Sequence, residues 1–163
     1  MKEPLIIRRA KMTEADVISE LAIRSKAHWG YSAEFMTACR EELTVTPEHI
    51  NDSQGDYFVC EVGGEIIGYC ATVPTSECER ELEALFVDPQ CMGSGYGRTL
   101  LDHAKETACK RGARVLLIQS DPNAAAFYAA IGATHIGDTE SGSIPGRFLP
   151  EYKIELPAAH GES

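Results

Sequence analysis

The sequence predicts an α/β fold, in which helices pack against a mixed β-sheet of about seven strands. Residues 56–62 and 65–73 are apolar runs joined by Gly63-Gly64, which indicates a β-hairpin. Residues 80–108 and residues 114–132 each contain an apolar strand followed by a helix. The chain has 163 residues, 44% of them hydrophobic, so we expect one domain over residues 1–163 with a substantial core.

The other elements follow from helix caps and apolar spacing. A first strand is expected over 5–10, and Thr13 then caps a helix with one inward face, formed by Val17, Ile18, Leu21, Ala22 and Ser25. Ser32 caps a second helix, whose inward face is formed by Phe35, Met36, Cys39 and Leu43. Thr46-Pro47 starts a short turn, and strands follow near 134–136 and 152–156. With the two helices of residues 80–132 this makes about four helices, and the tail (158–163) is expected to fray.

Composition excludes several classes of function. The formal net charge of −10 argues against a nucleic-acid partner, because such binding depends on basic contacts to phosphates. An acidic surface favours a cationic small molecule or a basic peptide, and it is equally explained as a solubility device. No signal peptide or membrane-length apolar run is evident, so we expect a cytoplasmic protein with no membrane partner. The six cysteines are scattered without metal-ligand spacing, so reduced thiols and no metal site are expected.

A glycine-rich turn follows the strand at residues 82–87. Gly93, Gly95 and Gly97 stand where a helix begins, although each glycine in a helix costs roughly 0.8–1 kcal/mol relative to alanine. A helix start with bare N–H groups is suited to bind a phosphate. The turn lacks the Gly-Lys-Ser/Thr ending of a Walker A loop, and its G-x-G-x-G spacing differs from the G-x-G-x-x-G of dinucleotide-binding folds.

The segment Gln90-x-x-Gly93-x-Gly95, placed after Leu85-Phe86-Val87-Asp88-Pro89, resembles the acyl-CoA pyrophosphate motif of the GNAT superfamily of N-acyltransferases. A second segment, with Asp121-Pro122 at a helix start, then Asn123, Tyr128 and Gly132-Ala133, is similar to a second GNAT motif. The resemblance is strongest over residues 81–137. It implies the GNAT fold, in which two central parallel strands splay apart; here these are the strands ending at Val87 and Gln119.

The resemblance also implies acetyl-CoA as co-substrate, with no metal. Backbone N–H groups from Met92 to Arg98 would hold the pyrophosphate, and backbone groups of Leu85 and Val87 would bind the pantetheine arm. Arg98 either pairs with a phosphate or simply faces solvent, and Asn123 either contacts the cofactor or merely starts its helix. The implied cofactor-binding residues are Leu85, Phe86, Val87, Gln90, Met92, Gly93, Ser94, Gly95, Tyr96, Gly97, Arg98, Asn123 and Tyr128.

Acyl transfer from a thioester to an amine needs a donor to the leaving thiolate and a group that neutralises the ammonium. Tyr128 is the candidate donor. A phenol of pKa near 10 transfers a proton to a thiol of pKa near 8.5 only uphill, by about 2 kcal/mol, so it would act chiefly as a hydrogen-bond donor. Its alternative role is that of a core aromatic. Glu83 is the candidate base, because neutralising an alkyl ammonium at pH 7 costs about 4.6 kcal/mol. Alternatively, Glu83 and Glu81 share a solvent-facing side of the strand.

The acceptor pocket of GNAT enzymes is usually shaped by the first two helices and the last loop. The candidates here are Trp29, Tyr31, Phe35 and Arg147, the last in a Ser-Ile-Pro-Gly-Arg loop that resembles one found in a bacterial subset of the family. Trp29 and Tyr31 either line the pocket or hold the turn between the helices, and Arg147 either binds an acceptor carboxylate or holds its own loop. The function so implied is acetyl transfer from acetyl-CoA directly to a primary amine of a small molecule. Protein N-terminal or lysine acetylation and non-catalytic acyl-CoA sensing are the alternatives, and a homodimer is left open.

Overall fold

The computed structural model describes residues 4–158 and contains a seven-stranded sheet in the order β1-β2-β3-β4-β5-β7-β6. All neighbouring strands are antiparallel except β4 and β5, which are parallel. The strands are β1 Leu5–Arg9, β2 Asp56–Val62, β3 Glu65–Pro74, β4 Glu79–Val87, β5 Val115–Gln119, β6 Thr134–Glu140 and β7 Phe148–Glu155. The helices are α1 Ala15–Ala27, α2 Ala33–Leu43, α3 Pro47–Asn51, α4 Tyr96–Lys110 and α5 Ala125–Ala130. The expected mixed-sheet α/β fold is confirmed.

Helices cover both faces of the sheet, and each face has its own buried cluster. On one face, α4 packs four small or branched side chains against the sheet: Leu100, Leu101, Ala104 and Ala108. On the other face, α1 and α2 pack Ile18, Leu21 and Leu43 against Val59 and Tyr69. This layered arrangement buries both faces of the central strands, which explains why β2 and β3 are nearly continuous apolar runs.

The central strands part halfway along the sheet. The parallel ladder between β4 and β5 contains four pairs, from Glu79↔Val115 to Leu82↔Ile118. Beyond Leu82, β4 continues to Val87 without β5 as its neighbour. The predicted splay of these two strands is therefore present, and it leaves backbone groups on that edge of β4 without a strand partner.

A β-bulge in β4 lies next to this opening. Leu82 pairs with Thr72 of β3 and Ala84 pairs with Ala71, so Glu83 is an extra residue in the ladder. Because of this extra residue, Leu82 and Ala84 belong to the buried clusters of opposite faces, although they are two residues apart. The bulge therefore resets which side chains of β4 face the helices α1 and α2.

Some local expectations need correction. Val17, predicted on the inward face of the first helix, is 49% exposed, because Ala15 and Ser19 take that face instead. A 3₁₀ turn at Met12–Glu14 precedes α1, so Thr13 lies inside this turn rather than at the helix cap. The turn at Thr46-Pro47 is a short helix, α3, capped by the Thr46 side chain.

The last two strands are longer than predicted, since β6 reaches Glu140 and β7 starts at Phe148. Apart from Ala158, the tail expected to fray lies outside the described residues. Within residues 4–158, no helix has the length and apolar character that a membrane span requires.

Candidate active site

A cleft of about 740 Å³ opens where β4 and β5 part. Its floor is formed by β4 from Glu81 to Val87 and by the end of β5. At one end it reaches the start of α4, and at the other it reaches the end of α2. The cleft is thus continuous from the glycine-rich turn to the helices between β1 and β2.

The glycine-rich turn presents backbone rather than side chains to the cleft. Gly93 and Gly95 have φ values of +86° and +87°, a conformation that residues with a side chain rarely adopt. A Cβ placed on either residue would meet nothing within 4 Å, so the backbone conformation and not crowding within the protein requires glycine there. The first bond of the α4 turn runs from Thr99 N to Gly95 O (3.1 Å), so the N–H groups of residues 96–98 have no acceptor within their helix.

Most of the expected cofactor-binding residues line this cleft. They are Leu85, Phe86, Val87, Met92, Gly93, Gly95, Tyr96, Gly97, Arg98 and Tyr128. Three expected residues, Gln90, Ser94 and Asn123, are not among the described residues that line the cleft. Cys91 and Phe127 are additional lining residues, and burial raises the pKa of the Cys91 thiol, which disfavours its reactive thiolate form. The start of the turn is held by Asp88, which accepts hydrogen bonds from Gln90 N (3.0 Å) and from the Arg24 guanidinium (3.0 Å).

Tyr128 lies at the other side of the opening. It is only 6% exposed, and its ring packs edge-on against Phe127 and tilted against Tyr152, with centroid distances of 5.1 and 6.0 Å. Its side chain lines the cleft, and within residues 4–158 no group forms a hydrogen bond with its hydroxyl. Burial raises the pKa of Tyr128 far above its usual value, so the hydroxyl stays protonated at neutral pH. The position offers a hydrogen-bond donor that is not used by the fold.

Two carboxylates of β4 line the cleft. Glu83, at the bulge, is exposed, whereas Glu81 is partly buried. Burial raises the pKa of Glu81, and the negative charges of Glu83 and Glu151 raise it further. Tyr57 lies beside them: burial raises its pKa to about 12, with a smaller contribution from the Glu83 charge. Glu81 and Tyr57 were not among the predicted site residues, and only the alternation Glu81–Glu83 indicated that the two carboxylates share a side.

The predicted acceptor residues separate into two groups. Trp29 lines the cleft and is 43% exposed. Tyr31, Phe35 and Arg147 belong instead to a cluster outside the lining, in which Tyr31 and Phe35 stack at 4.1 Å. The Tyr31 hydroxyl donates to Asp121 (2.9 Å) and accepts hydrogen bonds from the side chains of Arg147 (2.8 Å) and Asn123 (2.9 Å).

This Tyr31 cluster connects three distant segments. Asp121 also binds Lys26 (3.1 Å) and accepts from Asn123 N (2.8 Å), so it caps the turn that leads into α5. Although burial opposes it, the pKa of Asp121 is lowered by that backbone hydrogen bond and by the charge of Lys26. The cluster thereby holds the segment between α1 and α2 against the turn that leads to Tyr128. The side chains of Asn123 and Arg147 are both engaged here, and that of Arg147 binds Tyr31 rather than its own loop.

Four carboxylates belong to the lining of the cleft. Glu41 and Glu42 come from the last turn of α2, Glu81 and Glu83 come from β4, and we call these four residues the acidic lining. None of the four forms an ion pair with another residue in the range 4–158. Glu41 and Glu42 carry no motif in the sequence, so nothing in the sequence pattern connects them with this site. Over the same residues, no group of three or more His, Cys, Asp or Glu side chains is arranged to hold a metal ion.

Comparison with known proteins supports the family suggested by the two motifs. Residues 53–132 match the family described as acetyltransferase (GNAT) domain. A curated relative, an uncharacterized N-acetyltransferase of Methanocaldococcus jannaschii, is 28% identical over 130 aligned positions, which cover 74% of this chain and 58% of the relative. The chain thus spans less than two thirds of the length of that relative.

Solved structures share the fold over almost the whole chain. The PaiA N-acetyltransferase of Thermoplasma acidophilum, solved in complex with coenzyme A, has a TM-score of 0.77 at 20% identity and covers 94% of this chain and 99% of its own. A putative acetyltransferase of Salmonella typhimurium, solved with acetyl-CoA, and the ribosomal-protein-S18-alanine N-acetyltransferase of Escherichia coli each have a TM-score of 0.67, at 18% and 19% identity, and each covers 96% of both chains. With its two motifs, its splayed sheet and the matched family, this chain belongs to the GNAT superfamily of acetyltransferases.

Proposed function

We propose that this protein is an acetyl-CoA-dependent N-acetyltransferase, which moves the acetyl group directly to a primary amine of a small molecule. One observation carries the proposal. A single cleft joins the glycine-rich turn, the unpartnered hydroxyl of Tyr128 and the carboxylates of Glu81 and Glu83. These are the three provisions that acyl transfer to an amine requires: a site for the cofactor, a donor to the leaving group and an acceptor for the ammonium proton.

The residues present fit acetyl-CoA, which when bound supplies the acetyl thioester. The N–H groups at the start of α4 and the positive end of its dipole would hold the pyrophosphate, with Gly93 and Gly95 leaving room for close approach. The edge of β4 beyond Leu82 has no β5 neighbour, so its backbone groups at Leu85 and Val87 are available to an extended pantetheine arm. Two structural neighbours solved with coenzyme A or acetyl-CoA support this assignment.

Tyr128 would act on the leaving thiolate as a hydrogen-bond donor. Its raised pKa keeps the proton on the phenol oxygen, and the same raised pKa makes complete transfer to sulfur unfavourable until late in the reaction. A donor fixed in a buried wall needs no reorganisation when charge develops, which is the condition under which such a bond is most effective. The packing against Phe127 and Tyr152 supplies that rigidity.

Glu83 would draw the proton from the acceptor ammonium, directly or through water. This residue lines the cleft, and the alternation of side chains along the strand places it opposite to Leu82, on the side of α1 and α2. Glu81 is a second proton acceptor at the same place. Because its pKa is raised above the usual carboxyl value, its basicity is better matched to proton transfer near neutral pH.

The proposal is tested by release of free thiol from acetyl-CoA in the presence of polyamines, amino acids, aminoglycosides and basic peptides. Turnover with small amines is the expected result. Turnover with peptides alone would indicate protein acetylation, the activity named for the Escherichia coli neighbour. Tight acetyl-CoA binding without turnover on any acceptor would indicate a sensor.

A further inference from the structure

We infer a second ligand site, for a small anion with carboxylate or phosphate oxygens, in a pocket between Arg80 and Arg111. The pocket has a volume of about 330 Å³, at the lower end of the range for small-molecule sites, and among residues 4–158 it shares no lining residue with the cleft. It lies where β4 begins and α4 ends, whereas the cleft reaches the end of β4 and the start of α4. We call it the Arg80 pocket, and the proposed acetyl transfer does not use it.

Positive charge accumulates around one buried carboxylate at this pocket. Asp56, which is only 1% exposed, forms ion pairs with three guanidinium groups, those of Arg111 at 2.6 Å, Arg9 at 3.0 Å and Arg80 at 3.5 Å. Three cations against one carboxylate leave a surplus of two positive charges, in a chain whose net charge is −10. Glu77 adds a negative charge to the lining, but it is exposed and forms no ion pair within residues 4–158. The local charge therefore remains positive even when Glu77 is included.

Arg80 presents an unused hydrogen-bond donor to the pocket. Its side chain is only 6% exposed and is held by the hydroxyl (3.2 Å) and carbonyl (2.9 Å) of Thr72 and by Gln54 O (2.8 Å). These bonds use Nε and Nη2, and within residues 4–158 Nη1 forms none. Nη1 is not enclosed in the core, because over the same range the one enclosed side-chain nitrogen or oxygen without a partner is His103 Nε2. Since Arg80 lines the pocket, its Nη1 is open to a ligand there.

Arg111 and Ser76 add further donors to the same lining. Arg111 donates to Asp56 through Nε (2.6 Å) and Nη2 (2.9 Å), and to a backbone carbonyl through Nη2 (2.9 Å). Its Nη1, like that of Arg80, forms no hydrogen bond within residues 4–158. The Ser76 hydroxyl accepts from Cys78 N (3.3 Å), so its own proton is available to a ligand. Because both guanidinium groups are already held in place, binding an anion costs little side-chain entropy.

A bound anion would supply the charge that the protein itself does not provide. Burial lowers the pKa of Arg80, the Asp56 carboxylate raises it, and the nearby charge of Arg111 lowers it again. The charged form of Arg80 is therefore less stable here than in water, although the group remains protonated. Guanidinium donors favour carboxylate and phosphate oxygens, whose charge-assisted hydrogen bonds are roughly twice as strong as neutral ones. An anion between Arg80 and Arg111 would thus stabilise both cations.

Calorimetric titration of inorganic phosphate into the protein in complex with coenzyme A provides the test, at an ionic strength held constant with NaCl. Coenzyme A occupies the proposed pyrophosphate site at the start of α4, so phosphate cannot bind there as well. We expect saturable binding of one phosphate per chain. Succinate, titrated in the same way, distinguishes the two sources of oxygen: tighter binding of phosphate or of succinate identifies the class of anion. The measurement needs no turnover, so its outcome does not depend on the proposed activity.

Arg111→Gln removes one of the two Nη1 donors and should weaken anion binding about tenfold or more, the effect of one lost hydrogen bond to a charged group. Asp56 keeps its ion pairs with Arg9 and Arg80 in this variant, so we expect the protein to fold. Urea unfolding of the variant checks that expectation before the titration is interpreted.

Glu77→Gln acts in the opposite direction. Glu77 is the acidic residue among the described residues of the lining, and its removal should tighten anion binding about two- to fivefold. The matched control is Glu65→Gln, at an exposed position roughly 30 Å from Pro74 of the lining along β3. This distance is several Debye lengths at physiological ionic strength, so the control should bind the anion as the wild-type protein does.

Absence of saturable binding would overturn the inference. So would an affinity for the anion that is the same in the wild-type protein, Arg111→Gln and Glu77→Gln, because the anion would then bind elsewhere. If Arg111→Gln does not fold, Glu77→Gln decides by itself, since an exposed side chain without an ion pair in the described range can be exchanged without loss of structure.

Discussion

Replacing Tyr128 by phenylalanine separates the proposed chemistry from the packing of the ring. The substitution removes one hydroxyl, which the fold does not use, and keeps the contacts with Phe127 and Tyr152. A hydrogen bond to a charged group contributes about 1.5–3 kcal/mol. If Tyr128 makes this bond only as charge develops on the thiolate, kcat should fall by about 10- to 150-fold, while acetyl-CoA affinity stays nearly constant.

The measurement is steady-state thiol release, with acetyl-CoA affinity determined separately by calorimetry. The free energy of unfolding should change by less than about 1 kcal/mol, because no hydrogen bond within the described residues is lost. Tyr152→Phe is the matched control: Tyr152 is another buried tyrosine, in contact with the ring of Tyr128 but not among the residues of the cleft lining. Activity of Tyr128→Phe within about twofold of the wild-type protein would refute the donor role and leave Tyr128 as a core aromatic.

Three other changes address the base, the turn and stability. Glu83→Gln should lower kcat/KM by about 10²-fold or more at pH values below the pKa of the amine. Activity of the variant should recover in part as pH rises, because more of the acceptor is then neutral. An unchanged pH–rate profile would assign the role of base to another carboxylate or to a water chain. Gly95→Ala, at φ +87°, should weaken acetyl-CoA binding about tenfold or more. Its control is Gly112→Ala, at φ +93° in the turn after α4, which should show only the loss of about 1–2 kcal/mol of folding stability that both substitutions share. Equal acetyl-CoA affinities of the two variants in calorimetry would contradict the proposed pyrophosphate site. His103 has a buried Nε2 without a hydrogen-bond partner within residues 4–158, and burial lowers its pKa in the folded protein. Its contribution to stability is therefore fully present above about pH 6.5, the pKa of an unperturbed histidine, and is lost as pH falls through the lowered pKa of the folded protein. Urea unfolding should show a smaller loss between about pH 7.5 and pH 5.5 in His103→Leu, and parallel losses in both proteins would exclude this histidine as the cause.

Local structure was predictable wherever it depends on a few neighbouring residues. Asp121 and Pro122 do start a helical turn, since the Asp121 side chain accepts from Asn123 N and Pro122 needs no N–H at that position. Gly132, which follows the end of α5, has φ +90°, the left-handed conformation in which glycine commonly ends a helix. The apolar residues that follow the glycine-rich turn at helical spacing, Leu100, Leu101, Ala104 and Ala108, are the ones that α4 buries.

The side-chain partners of the site were not predictable in the same way. Tyr31 is 90 residues from Asp121 and 116 from Arg147, yet its hydroxyl binds both. Aromatic residues between two helices gave no indication whether they would line a cleft or bind a distant carboxylate. The prediction that Val17 faces inward was wrong for a related reason. The helical period allows neighbouring positions to take the inward face, and packing with the sheet decides between them.

The sequence by itself determined the fold class, the order of the elements and the two motifs that identify the superfamily, because apolar periodicity, caps and glycine conformations are properties of short segments. Only the tertiary structure decided that β4 and β5 part after Leu82, because strand separation depends on what packs on both faces of the sheet. The extra residue at Glu83 likewise emerged only from the pairing of β4 with β3, since a bulge is a property of two strands in register. The acidic lining arises in the same way: Glu41 and Glu42 line the same cleft as Glu81 and Glu83, about 40 positions away in sequence, because α2 packs over the face of the sheet opposite to Leu82.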